Sequence, residues 1–337
     1  MFIFVTGATG FLGSYVVRML VAQGHRVRAL RRPDSPMDMV ASVAHQIEWV
    51  AGDVTDIVAL ETAMQGVTHV CHCAAMVSFH PKDARRMNQV NIEGTANVVN
   101  LALAFGVERF VHISSIAALG RTKERPHLDE KSTWVESSDN TRYAISKYRG
   151  EQEAWRGWAE GLSVAIVNPA VVLGSGFWET GTARFFKQLH DGLKFCPIGR
   201  SGFVDVRDVA KFICLLLQSN INGERYVLNA ENMTYQTFFQ RGAAALDIPP
   251  PSIIVQPWLA EIAWRVEWVK EKLLGLQPTV TKESARSSVS TFYYDHAKSL
   301  TLPGFSYRPI QNTIAETAQQ YLESKQQQLR AMALPIN

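Results

Sequence analysis

The sequence predicts an α/β protein, a doubly wound parallel sheet that carries a smaller, mainly helical C-terminal lobe. Three observations lead there. Short β-branched runs alternate with helical-period segments through the first half of the chain, as in a parallel sheet covered by helices on both faces. Three glycines, Gly7, Gly10 and Gly13, recur where the first strand passes into the first helix. After about Gly174 the alternation gives way to aromatic sequence punctuated by Gly176, Gly181, Gly192, Gly199 and Gly202, which marks the loops of a separate lobe.

The strands read as Ile3–Thr6, Arg26–Leu30, Ile47–Ala51, His69–Cys73, Arg109–Ile113 and Ser163–Val167. Helices are expected at Phe11–Ala22, Ile57–Met64, Arg85–Phe105 and Tyr143–Trp158, several closed by a glycine such as Gly24, Gly66, Gly106 or Gly161. Val206–Gln218 reads as a further helix and Arg225–Leu228 as a strand that returns to the sheet. The expected division is a dinucleotide-binding domain of residues 1–175 and 203–230, with a substrate-binding lobe of residues 176–202 and 231–337.

At 337 residues the chain exceeds the usual single-domain size. Its 34 basic and 31 acidic residues leave a net charge of +3, which points to no nucleic-acid partner. Basic residues cluster at Arg26, Arg28, Arg31 and Arg32, a local grouping that suits a phosphate on a small ligand. Cys71, Cys73, Cys196 and Cys214 show neither metal-ligand nor disulfide spacing, so reduced structural thiols and no metal are expected. The apolar N-terminus is too short for a signal-peptide core, and no uninterrupted apolar run reaches the roughly 18 residues of a membrane span; a cytoplasmic protein is expected.

In Val5-Thr6-Gly7-Ala8-Thr9-Gly10-Phe11-Leu12-Gly13 the glycines recur every third residue between strand and helix. Gly7 permits a tight turn, Gly10 lets backbone approach a pyrophosphate, and Gly13 lets the helix pack near the strand, a Rossmann-type arrangement in which helix N–H groups face the anion. Where an NAD-selective site places a carboxylate after the second strand, this chain has Arg31 and Arg32. Guanidinium groups there suit a 2′-phosphate, so NADP(H) is expected over NAD(H). Asp53, followed by Val54, could accept a hydrogen bond from adenine or merely cap the next helix. The small side chains of Cys73, Ala74 and Ala75 suit close passage of the cofactor.

Tyr143 and Lys147 stand four residues apart at the start of a helix, which puts phenol and ammonium on one face. The cation is expected to lower the tyrosine pKa from about 10 towards the working range and to hold the nicotinamide ribose. Ser115 ends an apolar strand at the carboxyl edge of the sheet, where it could stabilise a substrate oxygen.

Together with Gly52-Asp53, Asn91-Ile92-Glu93-Gly94-Thr95 and the run Phe203–Ala210, these motifs make residues 1 to about 230 resemble the extended short-chain dehydrogenase/reductase family. The resemblance implies that Ser115, Tyr143 and Lys147 form the catalytic set, that Asn91 supports the Lys147 region, and that Asn168-Pro169-Ala170-Val171-Val172, with Pro169 and Val172 as contacts, borders the nicotinamide. Ile116-Ala117-Ala118 after the catalytic hydroxyl is unlike the Asp-Glu pair of the 4,6-dehydratases. Val27–Pro33 is similar to the same stretch of dihydroflavonol 4-reductases, with 3β-hydroxysteroid dehydrogenases as close relatives. The expected activity is reduction of a ketone or aldehyde, or oxidation of a secondary alcohol. A nucleotide-sugar epimerase is the alternative, in which Arg200 would replace the arginine that many epimerases carry where this chain has Ser201, and a non-catalytic NADP sensor is a third reading.

The aromatic residues Phe177, Trp178, Phe185, Phe186 and Phe195 are expected to furnish an apolar substrate lobe. Finally, Pro257–Leu276 carries a stripe of Leu259, Ile262, Val266, Val269, Leu273 and Leu276 that should pack on the body. Trp264 and Trp268 would then face outwards as a lid, a homodimer contact or a peripheral membrane contact.

Overall fold

The computed structural model describes residues 1–276 and 278–336. Seven parallel strands form the central sheet in the order Glu224–Leu228, Val164–Pro169, Arg109–Ile113, His69–His72, Phe2–Thr6, Arg26–Arg31 and Ile47–Ala51. The direction of strand order reverses between Phe2–Thr6 and His69–His72, and that switch point is where open α/β sheets bind ligands, beyond the carboxyl ends of the strands. Side-chain alternation divides the core in two: Ile3, Val5, Val111, Ala165 and Val167 face one helical layer, while Phe4, Phe110, Val164 and Ile166 face the other.

Ile47–Ala51, Arg109–Ile113, Phe11–Ala22 and Ile57–Met64 have the bounds that the sequence pattern predicts. The helix expected over Arg85–Phe105 is instead broken into Ala84–Asn88, a π-helical turn Gln89–Glu93, and Gly94–Ala104. The extra residue of such a turn is a common device at functional sites, and here it carries Asn91.

A second core holds the lobe together. Trp178, Phe186, Phe203, Phe238 and Tyr321 lie in it, with Phe185 packed against it. A three-stranded sheet (Val171–Leu173, Arg200–Asp205, Glu231–Thr234) joins this core to the main one. The segment around Leu334 packs on the first helix, where its amide donates to the Tyr15 hydroxyl at 2.8 Å, while Arg330 and Met332 just before it bond to Trp178 and Gly176.

The Pro257–Leu274 helix is oriented opposite to expectation. Ala260 is its buried residue, while Ile262, Val266, Val269 and Leu273 are exposed. The acidic face holds it to the body: Glu261 pairs with Arg286 at 2.7 Å, Glu267 accepts from the Thr279 amide at 2.8 Å, and Glu271 takes Lys82 at 2.5 Å and His80 at 3.3 Å.

Candidate active site

Gly7 adopts φ +69°, and a Cβ there would sit 2.8 Å from the Ala74 backbone nitrogen. Only glycine meets both conditions. A Cβ on Gly13 would overlap the Gly7 carbonyl oxygen, so the first helix is packed directly on the turn. Gly10 is different: an added Cβ would meet only the Gly7 oxygen, at 3.2 Å, and the residue is exposed at the helix N-terminus. No side chain caps this helix and no acid occupies its first turn, so the N–H groups after Gly10 are free to receive an anion. Thr9 and Leu12 are half-buried beside them, and Phe11 stacks edge-on to Tyr15 at 6.0 Å. The cradle fits a pyrophosphate.

Ala74 is fixed to the turn by a hydrogen bond from its amide to the Thr6 hydroxyl, 3.1 Å long. The Cys71 and Cys73 thiols share a hydrogen bond at 3.5 Å, and all four cysteines are free thiols. Among the described residues no group of three or more His, Cys, Asp or Glu side chains is arranged to hold a metal.

The basic cluster divides along the second strand. Arg26 and Arg28, at its start, are bound to Glu48 at 2.6 and 3.0 Å and lie over the Phe2 ring. They are structural, contrary to their reading as part of a phosphate site. Arg31 and Arg32 are at the carboxyl end, level with the glycine turn; Arg32 is exposed and 3.9 Å from Asp34. Asp53 accepts from the Thr55 amide and hydroxyl and pairs with Arg86 at 2.9 Å. Burial would raise its carboxyl, but the Thr55 hydrogen bonds and the Arg86 and Arg32 charges hold it below the usual range. Asp56, not Asp53, caps the following helix. Val54 is buried against Gly94, which has no room for a side chain.

Ser115 follows the Arg109–Ile113 strand and caps a short 3-10 turn, its hydroxyl accepting from the Ala117 amide at 3.2 Å. The Ser115 hydroxyl lies beside the Tyr143 phenol. Burial nevertheless pushes the phenol up, opposed by Ser115 and by the charge of Arg121. Lys147 makes no contribution of that kind. Its ammonium, buried, donates to the Ile113 carbonyl at 2.7 Å, and burial pushes its pKa down to about 8 against the opposing charge of Glu151. The charge expected from Lys147 comes instead from Arg121, which the sequence reading missed and which also lies beside Tyr294.

Asn91 is buried and fully engaged: its side chain accepts from the Met76 amide at 2.7 Å and donates to the Met76 carbonyl and the Ser146 hydroxyl, each at 2.9 Å. It ties the segment after Ala75 to the residue beside Lys147. Asn168 lies behind Ser115, donating to its carbonyl at 3.0 Å and to Glu151 at 2.7 Å. Pro169 is buried in the strand end and Val172 is half-buried in the next strand. Glu151, also missed, is buried and accepts from Ser114 at 2.6 Å and Arg225 at 3.0 Å as well. Its place four residues after Lys147 on the same helix face was the available signal.

A cleft of about 470 Å³ opens beside this group, walled by Phe79, Thr141, Arg142, Trp264 and Trp268. Phe79 stands edge-on to Tyr143 with ring centroids 6.1 Å apart. Trp264 and Trp268 therefore face the cleft. The aromatic residues singled out in the lobe do not line it: Trp178 and Phe186 are lobe core, Phe185 and Phe177 pack on core, and Phe195 is exposed. Arg200 donates to the Asn232 carbonyl at 3.1 Å and lies over the Tyr293 ring, while Ser201 is buried.

A strand-order switch point, a glycine cradle at its edge and a serine, tyrosine and lysine converging beyond it define an oxidoreductase-type enzyme of the short-chain dehydrogenase/reductase class. The chain belongs to the NAD dependent epimerase/dehydratase family, whose model matches residues 3–229. It is 33% identical to a putative dihydroflavonol 4-reductase of Synechocystis over 332 residues, 93% of this chain and 92% of that one. It is 32% identical to sterol demethylase protein B of Methylococcus capsulatus over 263 residues, 76% of this chain and 78% of that one. The solved structure of gox2253 superposes with a TM-score of 0.81 at 31% identity, covering 95% of this chain and 98% of that one.

Proposed function

We propose that the protein is an NADP(H)-dependent reductase, or the reverse dehydrogenase, for an apolar ketone or secondary alcohol. The observation that carries this is that Phe79, Trp264 and Trp268 bring flat aromatic surface to the cleft beside Tyr143, with Asp139, Arg142, Lys282 and Arg286 among the polar and charged side chains that complete its walls. The names of the two relatives, a flavonol-type reductase and a sterol demethylase component, agree with a lipophilic substrate.

In this reading the glycine turn and helix N-terminus hold the pyrophosphate, and Arg31 and Arg32 hold a 2′-phosphate. Cys73, Ala74 and Ala75 line the passage to Pro169 and Val172. When bound, the nicotinamide supplies or accepts the hydride. Tyr143 gives its proton to the substrate oxygen in reduction and takes it back in oxidation. Ser115 holds that oxygen in place, Lys147 orients the ribose, and the charge of Arg121 acts on the phenol.

The test is a panel of apolar ketones with NADPH or NADH, followed by cofactor absorbance. NADPH oxidation that weakens sharply in Arg31→Ala/Arg32→Ala supports the reading. Interconversion of nucleotide sugars without net cofactor turnover, and no ketone reduced, would overturn it in favour of an epimerase.

A further inference from the structure

Arg121, in the loop after Ser115 and its short turn, is a half-buried cation without a counter-ion. Among the described residues no carboxylate lies within ion-pair reach of it, whereas Arg142 and Arg286 at the cleft are matched by Glu283 at 3.0 Å and Glu261 at 2.7 Å. What surrounds the guanidinium is aromatic or hydroxylic. It stands 5.4 Å from the centre of the Phe292 ring, and Nη1 reaches the Ser287 hydroxyl at 3.5 Å, the limit of a hydrogen bond. Nε is buried and without a hydrogen-bond partner, and so is the hydroxyl of Tyr294, a residue only 1% exposed. Burial pushes the phenols of Tyr143, Tyr235 and Tyr294 up, and in all three the charge of Arg121 opposes it. Three phenols thus share one cation.

A cation held away from water with no acid beside it costs the fold stability, as does each unpaired buried donor. An anion from outside the chain removes both costs. The place it would bind is well defined. Asn140 Oδ1 accepts from the Arg121 amide at 2.9 Å, and Asn140 and Ser287 both line the cleft, so the guanidinium lies behind that wall at the Tyr143 end. The cofactor's phosphates have their own partners in the proposed reading, the glycine turn with Arg31 and Arg32. The anion therefore belongs to the molecule in the cleft. A single planar fork with hydroxyl donors beside it matches a planar, singly charged carboxylate.

We infer that Arg121, with the Tyr294 hydroxyl, binds a carboxylate on the substrate, so that the ketone or alcohol served by Tyr143 is an oxo acid or hydroxy acid with a flat apolar body. This rests on the reductase reading and narrows its substrate class. The apolar body lies against Phe79, Trp264 and Trp268, and the carboxylate end points inwards. Arg121 is then a specificity residue that decides which end of the substrate meets the phenol.

Matched pairs test this: phenylpyruvate, benzoylpropionate and benzoylbutyrate, each beside its methyl ester, with NADPH at one pH. The wild type should favour at least one acid over its ester in kcat/KM by about 10- to 150-fold, chiefly through KM, as loss of a hydrogen-bonded charge implies. Arg121→Met should remove that preference. Its effect on the Tyr143 phenol falls on acid and ester alike and cancels in the ratio. Tyr294→Phe deletes a hydroxyl that has no partner in the ligand-free protein, so it should weaken the preference without lowering the melting temperature, and it decides the matter if Arg121→Met is too unstable to assay. Esters reduced as well as acids by the wild type, or a preference unchanged in both variants, would overturn the inference and leave the reductase reading standing. If no compound of either kind is reduced, the reductase reading fails and the anion site is judged by binding alone. With NADP+ present, the acids should then raise the melting temperature of the wild type more than the esters do, and Arg121→Met should show no such difference; equal shifts in the wild type would overturn the site as well.

Discussion

The glycine turn allows fold and function to be separated by single methyl groups. In Gly7→Ala the backbone must hold φ +69° with a Cβ, at roughly 1–2 kcal/mol, and must absorb an approach of 2.8 Å to the Ala74 nitrogen, at roughly 1–3 kcal/mol more. The stiffer unfolded chain returns about 0.4–1 kcal/mol, which leaves a net loss of about 1–4.5 kcal/mol. At about 2–4 °C per kcal/mol the ligand-free protein should melt roughly 2–18 °C lower. Gly10→Ala is the contrasting change. Its φ of −77° suits alanine, its Cβ would meet only one oxygen at 3.2 Å, and the small loss of cap preference is offset by the same unfolded-state gain. The ligand-free melting temperature should stay within about 2 °C. NADPH at a hundred times its Kd should stabilise the wild type by about 2.7 kcal/mol and Gly10→Ala by far less, because the new methyl group occupies the approach to the helix N–H groups. Differential scanning fluorimetry with and without NADPH reads both quantities. A normal NADPH shift in Gly10→Ala, or an unchanged melting temperature in Gly7→Ala, would refute this account of the cradle.

Tyr143→Phe should lower kcat by about 10²–10⁴ while leaving cofactor binding intact, checked by steady-state rates against a fluorescence titration. Arg121→Met removes a charge that holds the buried phenol down, so the alkaline limb of the pH profile of kcat/KM should move to higher pH. Glu151→Gln leaves Arg225 with an uncharged partner inside the fold and should cost roughly 3 kcal/mol in chemical denaturation. Buried His72 and His112 stack at 5.5 Å beside Lys147, and burial, with that ammonium, depresses both, His72 to about 3. The unfolded chain then binds more protons than the folded one as pH falls below about 6.5. Stability should therefore drop by up to about 1.4 kcal/mol per pH unit for each ring, and His112→Leu should shallow that slope in denaturant titrations between neutral and acidic pH.

How much of this was legible in the sequence depended on the range of the interactions involved. The Ile47–Ala51 and Arg109–Ile113 strands and the Phe11–Ala22 and Ile57–Met64 helices are set by local periodicity and by neighbouring turn residues, and they were read to the residue. The π-helical turn around Asn91 has no such signal, because it answers to the Asn91 bonds with Met76 and Ser146. The paired strands Phe195–Pro197 and Ile253–Val255 are three residues each and about 60 positions apart, too short and too distant for pattern to show. On the Pro257–Leu274 helix, periodicity located the stripe correctly but could not tell which face meets the body. That choice belongs to Lys82, His80 and Arg286, which reach Glu271 and Glu261 from elsewhere in the chain. Arg121 escaped notice because it sits in a loop, where its neighbours Tyr294 and Ser287 are supplied by the lobe.

The site residues visible as motifs are held by a second group that is not. Asn168 and Glu151 join the Ser115 carbonyl to the helix that carries Tyr143 and Lys147, and Arg225 ties Glu151 to the neighbouring strand. On the other side of the same helix, Asn91 and Ser146 fix it to the segment that follows Ala75. These bonds are buried or part-buried and several involve a charge, so loss of one partner leaves another poorly compensated. The helix is therefore clamped at both faces, and Ser115, Tyr143 and Lys147 have little freedom to move relative to one another. The proposed hydride transfer needs that rigidity, since the oxygen, the phenol and the reacting carbon must meet within a few tenths of an ångström. In the proposed reading the triad supplies the chemistry, and the buried carboxylate and amides keep it in register.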